Sequence, residues 1–259
     1  MTLRATFDAL RAGGELALIP YVTAGFPTLD ASMDSVRGIA EAGADIIEIG
    51  IPFSDPVADG PTIQYASQVA LDGGFRLPDL LAALQDVDVT QPLVLMSYLN
   101  PLMAMNGDDV FARMAAVGIR GLIVPDLPIE EASEWSSRAK ANAIEMVFLA
   151  APTSGESRLR AIAEQSTGFV YFVSVAGITG ERAELPAGLC DRIRRFKTLS
   201  ETPVAVGFGI SQAAQIRSLM AVADGVVVGS RIITAIRRGE NVGDLIRELK
   251  SACRSAETC

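Results

Sequence analysis

Two carboxylates, Glu48 and Asp59, are the residues of this sequence best suited to acid–base chemistry. The run Ile46–Gly50 alternates so that Glu48 should share one strand face with Ile46 and Gly50, pointing into the fold. A carboxyl group among aliphatic side chains should have a raised pKa and could exchange protons near neutral pH. The competing interpretation is a buried acid held by a neighbouring cation or backbone donor.

Asp59 lies in a loop, residues 51–61, that follows this strand and contains three prolines. The prolines restrict the backbone, and Gly60-Pro61 is a typical helix start. The loop should present Phe53 and Pro56 at the mouth of the fold. Because aspartate is also common before a helix as a cap or dipole partner, capping and catalysis both remain open for Asp59.

Two glycine-rich turns predict an anion site. The segment Gly207–Ser211 closes one strand and opens a helix, and Gly229-Ser230 precedes the helical stretch 231–238. Glycine lets backbone N–H groups approach an anion, and helix N-termini attract negative charge. Ordinary tight turns are the alternative. A longer segment, residues 174–186, could be a lid over the site or an inert surface loop.

Composition narrows the chemistry further. The sequence has no histidine, which excludes Ser-His-Asp and Cys-His catalysis. Its three cysteines lack Cys-x-x-Cys or Cys/His spacing, so no metal site is predicted. A net charge of −9 disfavours binding to nucleic acid or to an anionic membrane, since both are negatively charged. The N-terminus lacks a secretory pattern, and we expect a cytoplasmic protein.

The elements that must position these residues alternate regularly along the chain, since short apolar runs are followed by helix-period stretches. The predicted strands are Leu16–Val22, Asp45–Gly50, Pro92–Met96, Gly121–Val124, Glu145–Leu149, Phe169–Val173, Val204–Gly207 and Gly225–Val228. The predicted helices between and after them are Leu29–Ala42, Thr62–Leu71, Leu77–Gln85, Asp108–Val117, Glu130–Ala141, Glu156–Glu164, Ala187–Thr198, Ser211–Ala221 and Val242–Cys253.

Eight such alternations favour an α/β fold of the closed (β/α)₈ type, a TIM barrel. An open doubly wound sheet is the alternative, but no G-x-G-x-x-G follows the first strand. We expect one domain over residues 1–259, with an N-terminal helix at about 2–11 and a frayed tail at about 251–259. Barrel enzymes build their sites at the carboxyl ends of the strands, where Glu48, Asp59 and the glycine turns should meet.

The run from Glu48 to Gln64, EIGIPFSDPVADGPTIQ, resembles the signature of the tryptophan synthase alpha chain family. Further motifs of this kind are PYVTAG from Pro20, SYLNP from Ser97, VPDLP from Val124, GITG from Gly177 and GFGIS from Gly207. The resemblance spans residues 1 to about 250. It implies retro-aldol cleavage of indole-3-glycerol phosphate to indole and glyceraldehyde 3-phosphate, a lyase reaction of tryptophan biosynthesis.

The resemblance also implies roles for individual residues. Glu48 would be the proton shuttle, and Asp59 the carboxylate at the indole N–H. The substrate-binding residues that it implies are Tyr21, Leu99, Tyr171, Thr179, Gly180, Gly207, Gly209, Gly229 and Ser230. Departures from many relatives are Phe169 in place of tyrosine, Arg231 in place of alanine and Ala176 in place of threonine, and the effects of the first two are left open.

The resemblance implies no cofactor in this chain, with pyridoxal phosphate only in a partner β subunit and an α₂β₂ heterotetramer. A free-standing lyase that releases indole is one alternative, and activity without a partner would distinguish it. A non-catalytic regulatory barrel is another, against which the presence of Glu48 and Asp59 argues. The length of the signature disfavours a different phosphate-binding barrel enzyme.

Overall fold

The structure, a computed structural model, describes residues 1–105, 109–151, 153–174, 185–207 and 209–254. Within these ranges eight parallel strands close a barrel in sequence order. The strands are β1 (Ala17–Thr23), β2 (Ile47–Gly50), β3 (Leu93–Met96), β4 (Ile119–Ile123), β5 (Glu145–Ala150), β6 (Val170–Val173), β7 (Val204–Gly207) and β8 (Gly225–Val228). The predicted TIM barrel is confirmed.

Helices surround the barrel. They are α1 (Leu3–Ala12), α2 (Leu29–Glu41), α3 (Pro61–Asp72), α4 (Leu77–Ala83), α5 (Leu99–Met103), α6 (Asp109–Ala116), α7 (Ser133–Ala141), α8 (Glu156–Gln165), α9 (Leu189–Lys197), α10 (Ala213–Leu219), α11 (Ser230–Arg238) and α12 (Val242–Ala252), with 3₁₀ turns at Leu84–Asp86 and Ile129–Glu131. In the described parts of the chain, no helix is long and apolar enough to cross a membrane.

The predicted elements correspond to the observed ones with small shifts at their ends. The bounds of β7 and β8 are as predicted, whereas β4 begins two residues earlier, at Ile119. The predicted helix Glu130–Ala141 is divided into a 3₁₀ turn and α7, and α12 continues to Ala252 into the segment predicted to fray. The sequence analysis missed the five-residue helix α5, which is too short to show a helical period.

Two hydrophobic layers lie on opposite faces of the sheet. Side chains such as Ile47 and Ile49 point outward and pack under the helices, whereas Ile46 belongs to the cluster inside the barrel. This alternation along β2 places Glu48 inside, as its period of two predicts. The barrel interior is therefore a packed core that contains one carboxyl group from β2.

Helix α1 closes the amino end of the barrel. Leu3 and Phe7 are fully buried in the interior cluster, and Phe7 packs against Phe169 with ring centroids 5.3 Å apart. Gly121 leaves room for this plug, since a Cβ there would lie 2.5 Å from Leu3 Cδ1. Phe169 is thus a packing residue at the closed end, and within the described residues the barrel interior is open at its carboxyl end.

Candidate active site

Glu48 lies on the inner face of β2 with only 3% of its surface exposed. Its Oε2 atom is buried and has no hydrogen-bond partner among the described residues. Burial, and to a lesser extent the nearby charge of Asp59, raise the pKa of the Glu48 carboxyl to about 8. No described cation or backbone donor neutralises this acid, so the geometry does not support a structural ion pair. Glu48 can hold or release a proton near neutral pH.

Asp59 ends the loop that runs from β2 to α3. It is 6% exposed, and its backbone is held by an N–H bond to the Pro56 carbonyl at 3.1 Å and by Gln64 Nε2, which donates to the Asp59 carbonyl at 2.8 Å. The N-cap of α3 is Gly60, one residue later, so Asp59 does not occupy the cap position. The Asp59 side chain is therefore not the helix cap, which was one of its two predicted roles.

The electrostatics of Asp59 differ from those of Glu48. Burial raises the pKa of the Asp59 carboxyl, and the hydrogen bond that the Tyr98 hydroxyl donates to it acts in the opposite direction, leaving the pKa at about 6. Near pH 7 Asp59 is mostly ionised while Glu48 is mostly protonated. Two carboxyls with separated pKa values can act as a negative stabiliser and a proton donor.

Both acids face one cavity at the carboxyl ends of the strands, with a volume of about 610 Å³ that includes the open space at its mouth. The lining residues are Tyr21, Glu48, Ala58, Asp59, Ile63, Met96, Ile123, Pro125, Leu149, Tyr171, Gly209, Ile210, Val227, Gly229 and Ser230. These are apolar walls, two acids and a rim of small residues, without lysine or arginine among the described lining. Such a cavity suits a largely apolar molecule that carries a few polar groups.

Two tyrosine side chains inside the barrel occupy space that is free only because the neighbouring strand has a glycine there. A Cβ on Gly50 would lie 2.0 Å from the Tyr21 hydroxyl, and one on Gly207 would lie 2.2 Å from the Tyr171 hydroxyl. Tyr21 and Tyr171 line the cavity, but Gly207 does not. Gly207 therefore has a packing role, because it makes room for Tyr171, and its contact with the substrate stays a prediction.

The rim of the cavity is built from the two glycine turns. Gly209 has φ +85°, a left-handed conformation that favours glycine, and Gly229 is the N-cap of α11, with Ser230 as its first residue. The Gln215 side chain fixes the first turn by accepting N–H bonds from Ser211 at 2.8 Å and Gln212 at 3.0 Å. Backbone N–H groups and a helix N-terminus meet here, as an anion site requires.

Not all residues implied by the resemblance are among the described residues that line the cavity. Leu99 begins α5, packs against the outer core and donates its N–H to Asp126 at 2.9 Å. Thr179, Gly180 and Ala176 lie outside the described residues. Arg231 forms an ion pair with Glu240 at 2.7 Å and does not line the cavity.

The sequence analysis missed much of the apolar wall and one polar neighbour. The omitted wall residues are Ala58, Ile63, Met96, Ile123, Pro125, Leu149, Ile210 and Val227. Strand alternation could have identified four of them, since Met96, Ile123, Leu149 and Val227 are inward residues near strand ends. Nothing local indicates that Tyr98 reaches Asp59.

This chain is similar to known proteins over most of its length. The sequence model described as "Tryptophan synthase alpha chain" matches residues 7–258. The chain is 43% identical over 251 residues to the tryptophan synthase alpha chain of Synechococcus elongatus, covering 95% of this chain and 94% of the relative. It is 45% identical over 257 residues to that of Methanosarcina mazei, covering 96% and 93%.

Solved structures give the same result. Mycobacterium tuberculosis tryptophan synthase matches with a TM-score of 0.92 at 38% identity, covering 98% of each chain. The tryptophan synthase α₂β₂ complex of Pyrococcus furiosus matches with a TM-score of 0.84 at 39% identity, covering 92% of this chain and 98% of that one. The resemblance seen in the motifs thus extends over the whole barrel, and the chain belongs to the tryptophan synthase alpha chain family.

Proposed function

We propose that this chain is a carbon–carbon lyase that cleaves indole-3-glycerol phosphate to indole and glyceraldehyde 3-phosphate. The observation that carries the proposal is the pair of buried carboxyls, with pKa values of about 8 and about 6, in one apolar cavity. The family membership supports the same reaction. No cofactor is assigned to this chain, because the reaction needs only proton transfers and charge stabilisation.

The two acids have complementary roles in the proposed reaction. Protonated Glu48 delivers its proton to indole C3, which creates a positive charge shared with the ring nitrogen. Ionised Asp59 stabilises that charge at the ring N–H. The bond from C3 to the side chain then breaks, its electron pair returns to the ring, and the adjacent hydroxyl passes its proton to Glu48 as the aldehyde forms. Glu48 ends the cycle protonated.

The substrate phosphate would bind at the rim. Backbone N–H groups at Gly209, Gly229 and Ser230, together with the N-terminus of α11, offer the donors, and the ring would lie between Tyr21 and Tyr171. Thr179 and Gly180 remain predicted contacts from the sequence. This arrangement holds an anion without a lysine or arginine in the described lining.

Replacing Gly209 with valine should weaken binding of substrate and of inorganic phosphate roughly tenfold or more, the effect of losing one hydrogen bond to a charged group. The side chain would occupy the approach of the anion and strain a backbone with φ +85°. Affinity for inorganic phosphate can be measured by isothermal titration.

The matched control is Gly74→Val, since Gly74 has φ +79° with open space around it and lies away from the cavity. Both variants should lose stability from backbone strain, but only Gly209→Val should lose phosphate affinity. A folded Gly209→Val protein with unchanged phosphate affinity would count against this rim as the anion site.

We also propose that the partner is a tryptophan synthase β subunit in an α₂β₂ assembly. Val57, 78% exposed, lies in the loop that carries Asp59, and Met103, 63% exposed, lies on α5, which follows Tyr98. The Tyr98 hydroxyl accepts an N–H bond from Ala58 at 3.0 Å and so joins the two segments. The related Pyrococcus furiosus complex is described as showing mutual activation. A partner subunit bound to this loop would fix the position of the Asp59 carboxylate.

The isolated chain should therefore be a poor lyase, activated roughly 10- to 100-fold by its β subunit, the scale of correcting a small misplacement of a catalytic group. The substitution Pro56→Ala should reduce the activation more than the basal rate, because the loop loses rigidity and contact together. Steady-state lyase rates with and without the β subunit, for wild type and variant, test this. Full activity of the chain alone, with no response to the partner, would favour the free-standing lyase.

A further inference from the structure

Tyr98 is a buried tyrosine behind Asp59 that does not line the substrate cavity. It follows β3, caps the N-terminus of α5 and is 1% exposed. Its hydroxyl makes two hydrogen bonds to the loop after β2: it accepts the N–H of Ala58 at 3.0 Å and donates to the Asp59 carboxylate. One hydroxyl group thus binds two consecutive residues, accepting from an amide N–H and donating to a carboxylate.

The ring and backbone of Tyr98 are themselves fixed. Its ring packs against Phe53 of the same loop, with centroids 5.2 Å apart at 31°. Its carbonyl accepts the Ser97 hydroxyl at 3.0 Å, and the next amide, Leu99 N–H, donates to Asp126 at 2.9 Å. Because contacts on both sides fix the Tyr98 ring, its hydroxyl can hold the Asp59 carboxylate in a fixed position.

We propose that Tyr98 is a positioning residue for the lyase reaction, holding the Asp59 carboxylate in its orientation and in its charged form through one donated hydrogen bond. The inference rests on the proposed function and adds to it a residue that need not touch the substrate. Its accepted bond from Ala58 ties the loop to the segment between β3 and α5, so the position of Asp59 depends on the segments after two strands instead of one.

The charges around Asp59 explain why this bond matters. Titratable groups facing it are Glu48 on β2, Tyr21 on β1, Tyr171 on β6 and Tyr98 itself. Neither lysine nor arginine appears in the described cavity lining. Burial alone would hold Asp59 protonated to higher pH, and the Tyr98 bond lowers the pKa of that carboxyl. Without the bond the acid should ionise at a higher pH.

The first test is Tyr98→Phe, which keeps the ring against Phe53 and removes only the hydroxyl. We expect kcat to fall roughly 10- to 100-fold, the range for one hydrogen bond to a charged group, with KM nearly unchanged. The acidic limb of the kcat profile should move to higher pH. Tyr65→Phe is the matched control, because Tyr65 is 43% exposed on α3 and packs against Arg237; it should behave as wild type.

A double-mutant cycle with Asp59→Asn separates positioning from general loss of structure. If Tyr98 acts through the carboxylate, Tyr98→Phe should cost little further activity once Asp59 is asparagine. A full additional loss in the double variant, or an acidic limb that does not move in the single variant, would overturn the inference.

The carboxyl ¹³C shift of Asp59, followed by NMR in the full chain, gives a readout that does not need activity. Its titration midpoint should rise in Tyr98→Phe and stay unchanged in Tyr65→Phe. A wild-type chain that never cleaves indole-3-glycerol phosphate, with or without a β subunit, would overturn the proposed function. An unmoved Asp59 titration in Tyr98→Phe would overturn the positioning role.

Discussion

Replacing Glu48 with glutamine should lower the rate of indole-3-glycerol phosphate cleavage by roughly 10²- to 10⁴-fold, the range of general acid–base catalysis. Glutamine fills nearly the same volume but cannot deliver a proton to C3 or accept one from the hydroxyl. Because Glu48 Oε2 has no described hydrogen-bond partner, the substitution breaks no described contact of that atom, and the barrel should fold normally.

The same substitution should change stability in a pH-dependent way. The folded-state pKa of about 8 is above the ordinary value of 4.5, so between these values the unfolded chain gives up a proton that the folded chain retains. Wild-type stability from this group is therefore lost as pH rises from 4.5 to 8. Glu48→Gln removes this dependence and should raise Tm relative to wild type at pH 9, by roughly 2–4 °C per ~1 kcal/mol.

Thermal melts followed by circular dichroism, at pH 5 and pH 9, measure this second effect. Glu41→Gln is the control for both effects, since Glu41 is exposed at the end of α2. Turnover of Glu48→Gln within a few fold of wild type would remove Glu48 from the mechanism. An equal Tm difference at both pH values would show that its carboxyl does not titrate as the burial implies.

The parts of this site that follow from local periodicity were predictable from the sequence. Alternation along β2 places Glu48 inside the barrel, and the regular succession of strands and helices predicts closure. The glycine turns after β7 and β8 reach the cavity, since Gly209 and Gly229 line it. Each of these depends on residues within one element or turn, where the side-chain period decides the face.

The parts that depend on register between strands were not predictable. Gly207 belongs to the turn predicted to bind an anion, but its sequence context does not indicate that its missing Cβ makes room for the Tyr171 hydroxyl from β6. The bond from Tyr98 to Asp59 joins residues 39 positions apart, and it requires the pairing of Glu48 with Val94 in β3. Sequence periodicity gives the face of a side chain, and the neighbouring strand decides what that side chain touches.

Replacing Asp59 with asparagine should lower turnover by roughly 10²- to 10³-fold, the cost of removing one electrostatic stabiliser of a transition state. Asparagine keeps the size of the side chain but cannot offset the positive charge that protonation of C3 places on the indole. Since this charge is absent from the bound substrate, the loss should lie mainly in kcat. Asp72→Asn, at an exposed position on α3, should have no effect.

The pH profile of Asp59→Asn distinguishes the two carboxyls. In the wild type, activity should rise as Asp59 ionises near pH 6 and fall as Glu48 loses its proton near pH 8. Asparagine removes the acidic limb. It also removes a negative charge that raises the pKa of Glu48, so Glu48 ionises more easily and the basic limb should move to lower pH. Both changes can be read from kcat/KM between pH 5 and 10, in buffers of about constant ionic strength. If the acidic limb persists in Asp59→Asn, the group that ionises near pH 6 is not Asp59, and its assignment as the charge stabiliser fails. If the basic limb stays in place, the charge of Asp59 does not affect the pKa of the proton donor, and the assignment of Glu48 to that limb fails.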